Sequence, residues 1–240
     1  MRFQPCPVWK PLKSGLHSHL MNLKYLALNE SLYDYTCIHR SHAKDPILET
    51  LRIETEEKAG EFSRMLISRE QGSFLSILVA CLGAKSAIEI GTFTGYSSIC
   101  IARGLPEDDR LLCMDISEEW TTIAQRHWDL AGVRDRIELR VGPAIEGLDQ
   151  LDPVPSFDFA FIDADKPEYD AYYERILPRM RSNGLILFDN MLWGGRLGNG
   201  PITDEAGQAI DALNRKLASD DRVQTVLLPF ADGIQFCRKK

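Results

Sequence analysis

Ala87-Ile88-Glu89-Ile90-Gly91-Thr92-Phe93-Thr94-Gly95-Tyr96-Ser97-Ser98 is a short apolar run that ends in glycine, turns through Thr92-Phe93-Thr94 and enters a polar stretch. It predicts a strand over residues 86–91, a turn, and a helix beginning after Gly95. Upstream, apolar residues recur at helical spacing over residues 47–60 and 70–84, predicting two helices before this strand. Downstream, strand-like and helix-like segments alternate: 110–116, 118–131, 137–141, a short helix at 144–151, and 157–163. A helix over 168–181 reaches Asn183-Gly184, read as a helix stop, and residues 185–189 form the next strand. A helix over 203–218 and strands over 223–228 and 234–238 close the chain, with Asp232-Gly233 as a hairpin signal between the last two. Such alternation implies an α/β fold. Its sheet is doubly wound and mostly parallel, preceded by N-terminal helices, and the final hairpin adds an antiparallel strand.

With 240 residues, 44% hydrophobic and 26% charged, the chain has the composition of an ordinary globular protein. It contains no internal repeat, and its composition breaks only before Met21, where Pro5, Pro7 and Pro11 precede a His17-Ser-His19 stretch. Residues 1–22 are therefore expected to be a poorly ordered extension, with Met21 a second candidate start, and residues 23–240 a single domain. A net charge of -7 opposes nucleic-acid binding and attachment to anionic membranes. The longest apolar run, 74–82, is far shorter than the ~20 residues of a membrane span, and the early prolines interrupt any signal-peptide core. A cytoplasmic protein with reduced, mostly structural cysteines is expected. His17, His19, His39, His42 and His127 lack an acidic partner cluster and are read as structural or solvated.

In doubly wound sheets, ligands bind beyond the carboxyl ends of the strands. The first predicted strand ends in a loop carrying Gly91 and Gly95 but not the third glycine of a dinucleotide fingerprint. Glu89 opposes a diphosphate there and suits a ligand with positive charge. The second strand ends in Asp115, which can accept hydrogen bonds from ribose hydroxyls; that fits adenosine generally and leaves NAD and S-adenosylmethionine open. The strands ending in Asp163 and Asp189-Asn190 are expected to be neighbours. Asp163, Asp189 and Asn190 would then form a hard oxygen set for Mg2+ or another dication such as Mn2+ or Ca2+. Lys166, three residues past Asp163, is placed to act as a base.

Several stretches together resemble the cation-dependent class I O-methyltransferases, the group of catechol and caffeoyl-coenzyme A O-methyltransferases. They are Leu32-Tyr-Asp-Tyr35, Glu70-Gln-Gly-Ser-Phe-Leu75, the glycine loop above, Phe161-Ile-Asp-Ala-Asp-Lys-Pro-Glu-Tyr169, Leu187-Phe-Asp-Asn-Met-Leu-Trp193 and Asp232-Gly233. The resemblance implies a Rossmann-like methyltransferase sheet, S-adenosylmethionine as donor, and a homodimer acting on a small phenolic substrate of the catechol kind. It implies a cation held by Asp163, Asp189 and Asn190, with Lys166 and Asp163 as catalytic residues. It also implies a donor site of Glu89, Gly91, Thr92, Ser97, Asp115, Ala144, Asp163 and Asp165. Trp193 is expected to wall the acceptor pocket. Two departures stand out: Pro143 removes a backbone donor beside the adenine position, and the stretch after Trp193 lacks the longer insert of the coenzyme A enzymes. The competing readings are an NAD-dependent oxidoreductase on a related sheet and a non-catalytic S-adenosylmethionine-binding protein.

Overall fold

The computed structural model describes residues 28–41 and 43–240, so the expected extension over residues 1–22 lies outside them. The helices are α1 Glu30–Ile38, α2 Pro46–Ala59, α3 Arg69–Leu82, α4 Tyr96–Gly104, α5 Glu118–Leu130, α6 Ala144–Asp149, α7 Tyr169–Ile176 and α8 Glu205–Ser219. The strands are β1 Ser86–Ile90, β2 Arg110–Asp115, β3 Ile137–Val141, β4 Phe157–Ile162, β5 Met180–Phe188, β6 Val223–Leu228 and β7 Ile234–Lys239. They form one sheet in the order β3-β2-β1-β4-β5-β7-β6. The first five strands run parallel, and β7 lies antiparallel to both β5 and β6, as the sequence predicts.

Alternation along each strand divides the core into two layers. Ala87, Leu111, Cys113, Phe159, Phe161 and Leu187 pack beneath α2, α3, α4 and α5, burying Leu51, Leu75, Val79, Ile99 and Trp128. Ile88, Ile90, Met114, Ala160, Ile162, Ile186 and Phe188 face α7 and α8. Each large aliphatic side chain buried in these layers contributes roughly 1.5–3 kcal/mol. No single helix among the described residues is long and apolar enough to cross a membrane. The stretches Pro46–Met65 and Arg69–Leu82 pass that test together, bent by 76°, and both bury their apolar faces in the first layer.

Helix boundaries follow local chemistry. Asp45 caps α2 by accepting from the amides of Ile47 and Leu48, with Pro46 in the first turn. Ser68 and Gln71 form a reciprocal capping box at the start of α3, and left-handed Gly83 ends it. The helix expected over 168–181 ends instead at Ile176. Pro178 sits in the single turn Leu177–Arg179, and the chain enters β5 at Met180. Asn183-Gly184 is thus not a helix stop but a bulge inside β5, where the pairing jumps from Phe157↔Met180 to Phe159↔Leu185 and Asn183 adopts φ 66°. A left-handed residue serves either purpose, which is why the dipeptide misleads.

Because β3 is followed by a return to the far side of β1, the sheet reverses its winding between β1 and β4. The loops after β1, β2, β4 and β5 therefore share one edge at the switch point. Gly91 is required there for a reason the sequence does not reveal. It has φ 88°, and a Cβ would lie 2.0 Å from the Asp163 carbonyl oxygen, so this glycine admits the end of β4. Gly91→Ala is expected to destabilise the protein by about 2 kcal/mol or more, read as a lower thermal midpoint, and to displace Asp163.

Candidate active site

The loop after β1 is held by Asp115 at the end of β2. Its Oδ2 accepts from the backbone amides of Thr92 at 2.9 Å and Phe93 at 2.7 Å, and its Oδ1 from Ser117 at 2.8 Å. About one of the roughly four acceptor positions of the carboxylate remains for a ligand. Ser117 is the cap of α5, accepting from the Trp120 amide, so the helix does not need Asp115 for capping.

Glu89 is fully buried in β1. Its Oε2 accepts from the Thr92 hydroxyl at 3.1 Å and the Cys113 thiol at 3.3 Å, while Oε1 has no hydrogen-bond partner. Burial pushes its carboxyl up to about 7, against the hydroxyls of Ser97 and Thr92 and the Cys113 thiol, which favour the charged form. A buried, half-satisfied carboxylate of this kind suits a cationic ligand group. Thr92 and Ser97 are buried beside it. Ala144 opens α6 beyond β3, next to Pro143, and Asp165 is exposed at the head of the turn Lys166–Glu168.

The ends of β4 and β5 lie side by side, with Ile162 paired to Phe188, so Asp163 and Asp189 emerge together as expected. Asp189 is 2% exposed; its Oδ2 accepts from Gln71 Nε2 at 3.0 Å and its Oδ1 from the Asn190 amide at 2.7 Å. Burial, then the neighbouring Asp163 carboxylate, raises the Asp189 carboxyl well above the usual range. Lys166 Nζ donates to Asp163 Oδ1 at 2.8 Å and to the Tyr169 hydroxyl at 2.7 Å. Burial keeps the Tyr169 phenol protonated by raising it further.

These residues fit a hard dication in chemistry. Asp163 is paired with Lys166, whereas the buried Asp189 has no ionic partner among the described residues. Asn190, in the left-handed region at φ 59°, has a side-chain amide with no protein partner among the described residues. No cluster of three or more His, Cys, Asp or Glu placed to hold a metal occurs among the described residues, so the set depends on the Asn190 oxygen as its third donor.

Asp163, Asp189 and Asn190 border a cleft of about 370 Å³, closed on the other side by Tyr33 and Cys37 of α1 and by the segment around Arg64 to Arg69. Arg52, Arg64 and Arg69 also line it. Arg52 donates to the Ile67 carbonyl and Arg69 pairs with Glu49, whereas Arg64 has no ionic partner among the described residues. Trp193, expected to wall this pocket, is not part of its lining. Its indole donates to Asp204 Oδ1 at 2.8 Å, packs over Gly207 of α8, and stacks beneath Arg196. The carboxylate capping α8 satisfies the indole N–H and holds it there.

Sequence reasoning missed Gln71, Arg64 and Tyr169. Gln71 was legible as a capping-box residue, but its second partner, Asp189, lies 118 residues away. Tyr169 stands inside a quoted motif without a role. No local signal marks Arg64.

Residues 38–240 match the family described as O-methyltransferase. The chain is 38% identical to caffeoyl-CoA O-methyltransferase 2 of Zea mays over 230 residues, covering 90% of this chain and 85% of that protein. It is 36% identical to tricin synthase 2 of Oryza sativa subsp. japonica over 241 residues, covering 96% and 82%. Among solved structures, it superimposes on the O-methyltransferase from Bacillus cereus in complex with SAH with a TM-score of 0.79 and 32% identity, covering 87% of this chain and 97% of that one.

Proposed function

The chain belongs to the O-methyltransferase family, and on that premise we propose that it transfers the methyl group of S-adenosylmethionine to a hydroxyl of a small catechol-like phenol, with a divalent cation, most naturally Mg2+. The observation that carries this reading is the convergence of Asp163, Asp189 and Asn190 on one cleft at the winding switch of the sheet, with Lys166 bonded to Asp163. It is proposed to act as a cytoplasmic homodimer on small molecules, and the net charge of -7 supports the exclusion of nucleic acid.

The donor supplies an electrophilic methyl on a sulfonium and carries an ammonium group. Glu89, with its orphaned Oε1, is assigned to that ammonium, Asp115 to a ribose hydroxyl, and Gly91, Thr92, Ser97, Ala144, Asp163 and Asp165 to the surrounding wall. Asp163, Asp189 and Asn190 would hold the cation, which when bound would supply Lewis acidity that favours the phenolate. Lys166 takes the phenol proton, and Asp163 holds Lys166 in reach. Enclosure in the cleft keeps acceptor and donor oriented, a contribution worth several kcal/mol to such transfers, on the order of 7–11 at its upper range. Arg64, unpaired at the cleft, favours an acceptor with an acidic substituent, as in a caffeic-acid-like phenol.

The pH dependence of donor binding follows from Glu89. Its carboxyl sits near 7 in the free protein, and a bound ammonium group favours its ionised form. Affinity for S-adenosylhomocysteine, measured by calorimetry, is therefore expected to rise between pH 6 and pH 8 with proton release, and Glu89→Gln should abolish that slope. The reading as a whole is tested by thermal shift with S-adenosylhomocysteine beside NADH, and by label transfer from S-adenosylmethionine to a phenol panel. Stabilisation by NADH alone, with no transfer, would replace it with the oxidoreductase reading.

A further inference from the structure

We propose that Tyr169 is a positioning residue: its buried hydroxyl, together with the Asp163 carboxylate, fixes the Lys166 amine so that a single tetrahedral position of Nζ is left for proton removal. The inference rests on the reading of Lys166 as the base and deepens it.

Nζ has four substituent positions. One is Cε, one points to Asp163 Oδ1 at 2.8 Å and one to Tyr169 Oη at 2.7 Å. The amine that pairs with Asp163 must first release one proton to solvent to act as a base, and the neutral amine that results has two N–H bonds and one lone pair. With both N–H bonds engaged by these two acceptors, the lone pair occupies the remaining position. When the phenol O–H breaks, its proton joins that lone pair, the electron pair stays on the phenol oxygen, and the other two hydrogen bonds persist unchanged.

The tyrosine is itself held for this task. It is fully buried, with its ring 5.6 Å from that of Phe188. Its hydroxyl lies 3.3 Å from the Ile162 carbonyl and 3.2 Å from the Asp189 carbonyl. One of these takes the single O–H, and the oxygen lone pairs remain for Nζ. Those carbonyls belong to the ends of β4 and β5, the same backbone that carries Asp163 and Asp189. The hydroxyl thus ties the amine to the frame that sets the cleft. The sequence encodes this compactly, because Lys166 and Tyr169 stand three residues apart across the turn into α7.

Removing the oxygen while keeping the ring, as in Tyr169→Phe, leaves Asp163 as the only anchor and lets the other two positions of Nζ exchange. In the enzyme supplied with S-adenosylmethionine and Mg2+, kcat is expected to fall about tenfold, with acceptor KM and S-adenosylhomocysteine affinity within about twofold. In a Lys166→Ala background, followed in single turnovers, the same change is expected to cost less than twofold. Equal losses in both backgrounds would mark Tyr169 as merely structural, and an undiminished kcat would overturn the proposal. A second readout is independent of turnover. In 1H–15N spectra of the cation-free protein, in which Lys166 forms an ion pair with Asp163, the Lys166 ammonium signal, assigned by its loss in Lys166→Ala, should exchange slowly in the wild type and at least tenfold faster in Tyr169→Phe. A wild-type Lys166 signal exchanging like those of surface lysines would refute the positioning role without any variant. Should Lys166→Ala retain full turnover, the base reading fails, while the spectra still decide whether Tyr169 fixes the amine.

Discussion

Lys166→Ala is expected to lower turnover by about two to four orders of magnitude while leaving S-adenosylhomocysteine affinity within about twofold of wild type. The size of the loss reflects the proposed role of Lys166 as the base. Among the groups bordering the cleft beside the proposed metal residues, Tyr33 and Cys37 both contact the Glu70 carboxylate, and burial raises both of them, so neither is disposed to exchange protons near neutrality. The preserved donor affinity follows from position: Glu89 and Asp115 belong to β1 and β2, and neither contacts Lys166. Single-turnover kinetics and calorimetry check the two halves of the expectation separately. A parallel loss of donor affinity would show that the lysine acts through the fold of the β4 loop instead of through proton transfer.

Asp189→Asn is expected to raise stability and remove function together. In the free protein, burial and Asp163 hold the Asp189 carboxyl above its usual range. A carboxyl whose folded value lies above its unfolded one loses stability as pH rises from the unfolded value through the folded one. An amide escapes that loss, so the thermal midpoint of the cation-free variant should exceed that of wild type at pH 8, with the advantage shrinking at pH 4. Mg2+ affinity should fall, because a neutral amide replaces one of only two carboxylates in the set, and turnover should drop at least about 100-fold. Thermal denaturation and metal titration test the two signs independently.

How the sequence encodes these features differs by residue. The strand ends bearing Asp163 and Asp189 were legible because each carboxylate terminates an unbroken apolar run, and parallel sheets bury such runs on both faces. Asp115 was legible as a strand-end acid, but its use as the anchor of the Thr92 and Phe93 amides depends on β1 and β2 being neighbours. The direction of the Trp193 indole was not legible, because proximity to Asn190 in sequence says nothing about it and Asp204 at the start of α8 determines it. Asn183-Gly184 was misread because helix stop and bulge both need a left-handed residue. Helix α1 carries no buried residue and no strong amphipathic pattern, so it escaped notice although it closes the cleft.

In the proposed reaction the acceptor is bound through two adjacent oxygens at the Asp163, Asp189 and Asn190 end of the cleft. Asp163, Asp189 and Asn190 offer three protein oxygens, so a cation held by them would have capacity left for both oxygens of a vicinal diol, whereas a single phenol would supply one. The most direct test is initial turnover of a catechol beside its mono-hydroxy analogue, each in Mg2+ and in EDTA, at saturating S-adenosylmethionine. The account predicts rapid turnover only for the catechol in Mg2+, with losses of at least about 100-fold on removing either the second hydroxyl or the cation. Equal rates for the two acceptors, or full activity in EDTA, would contradict it.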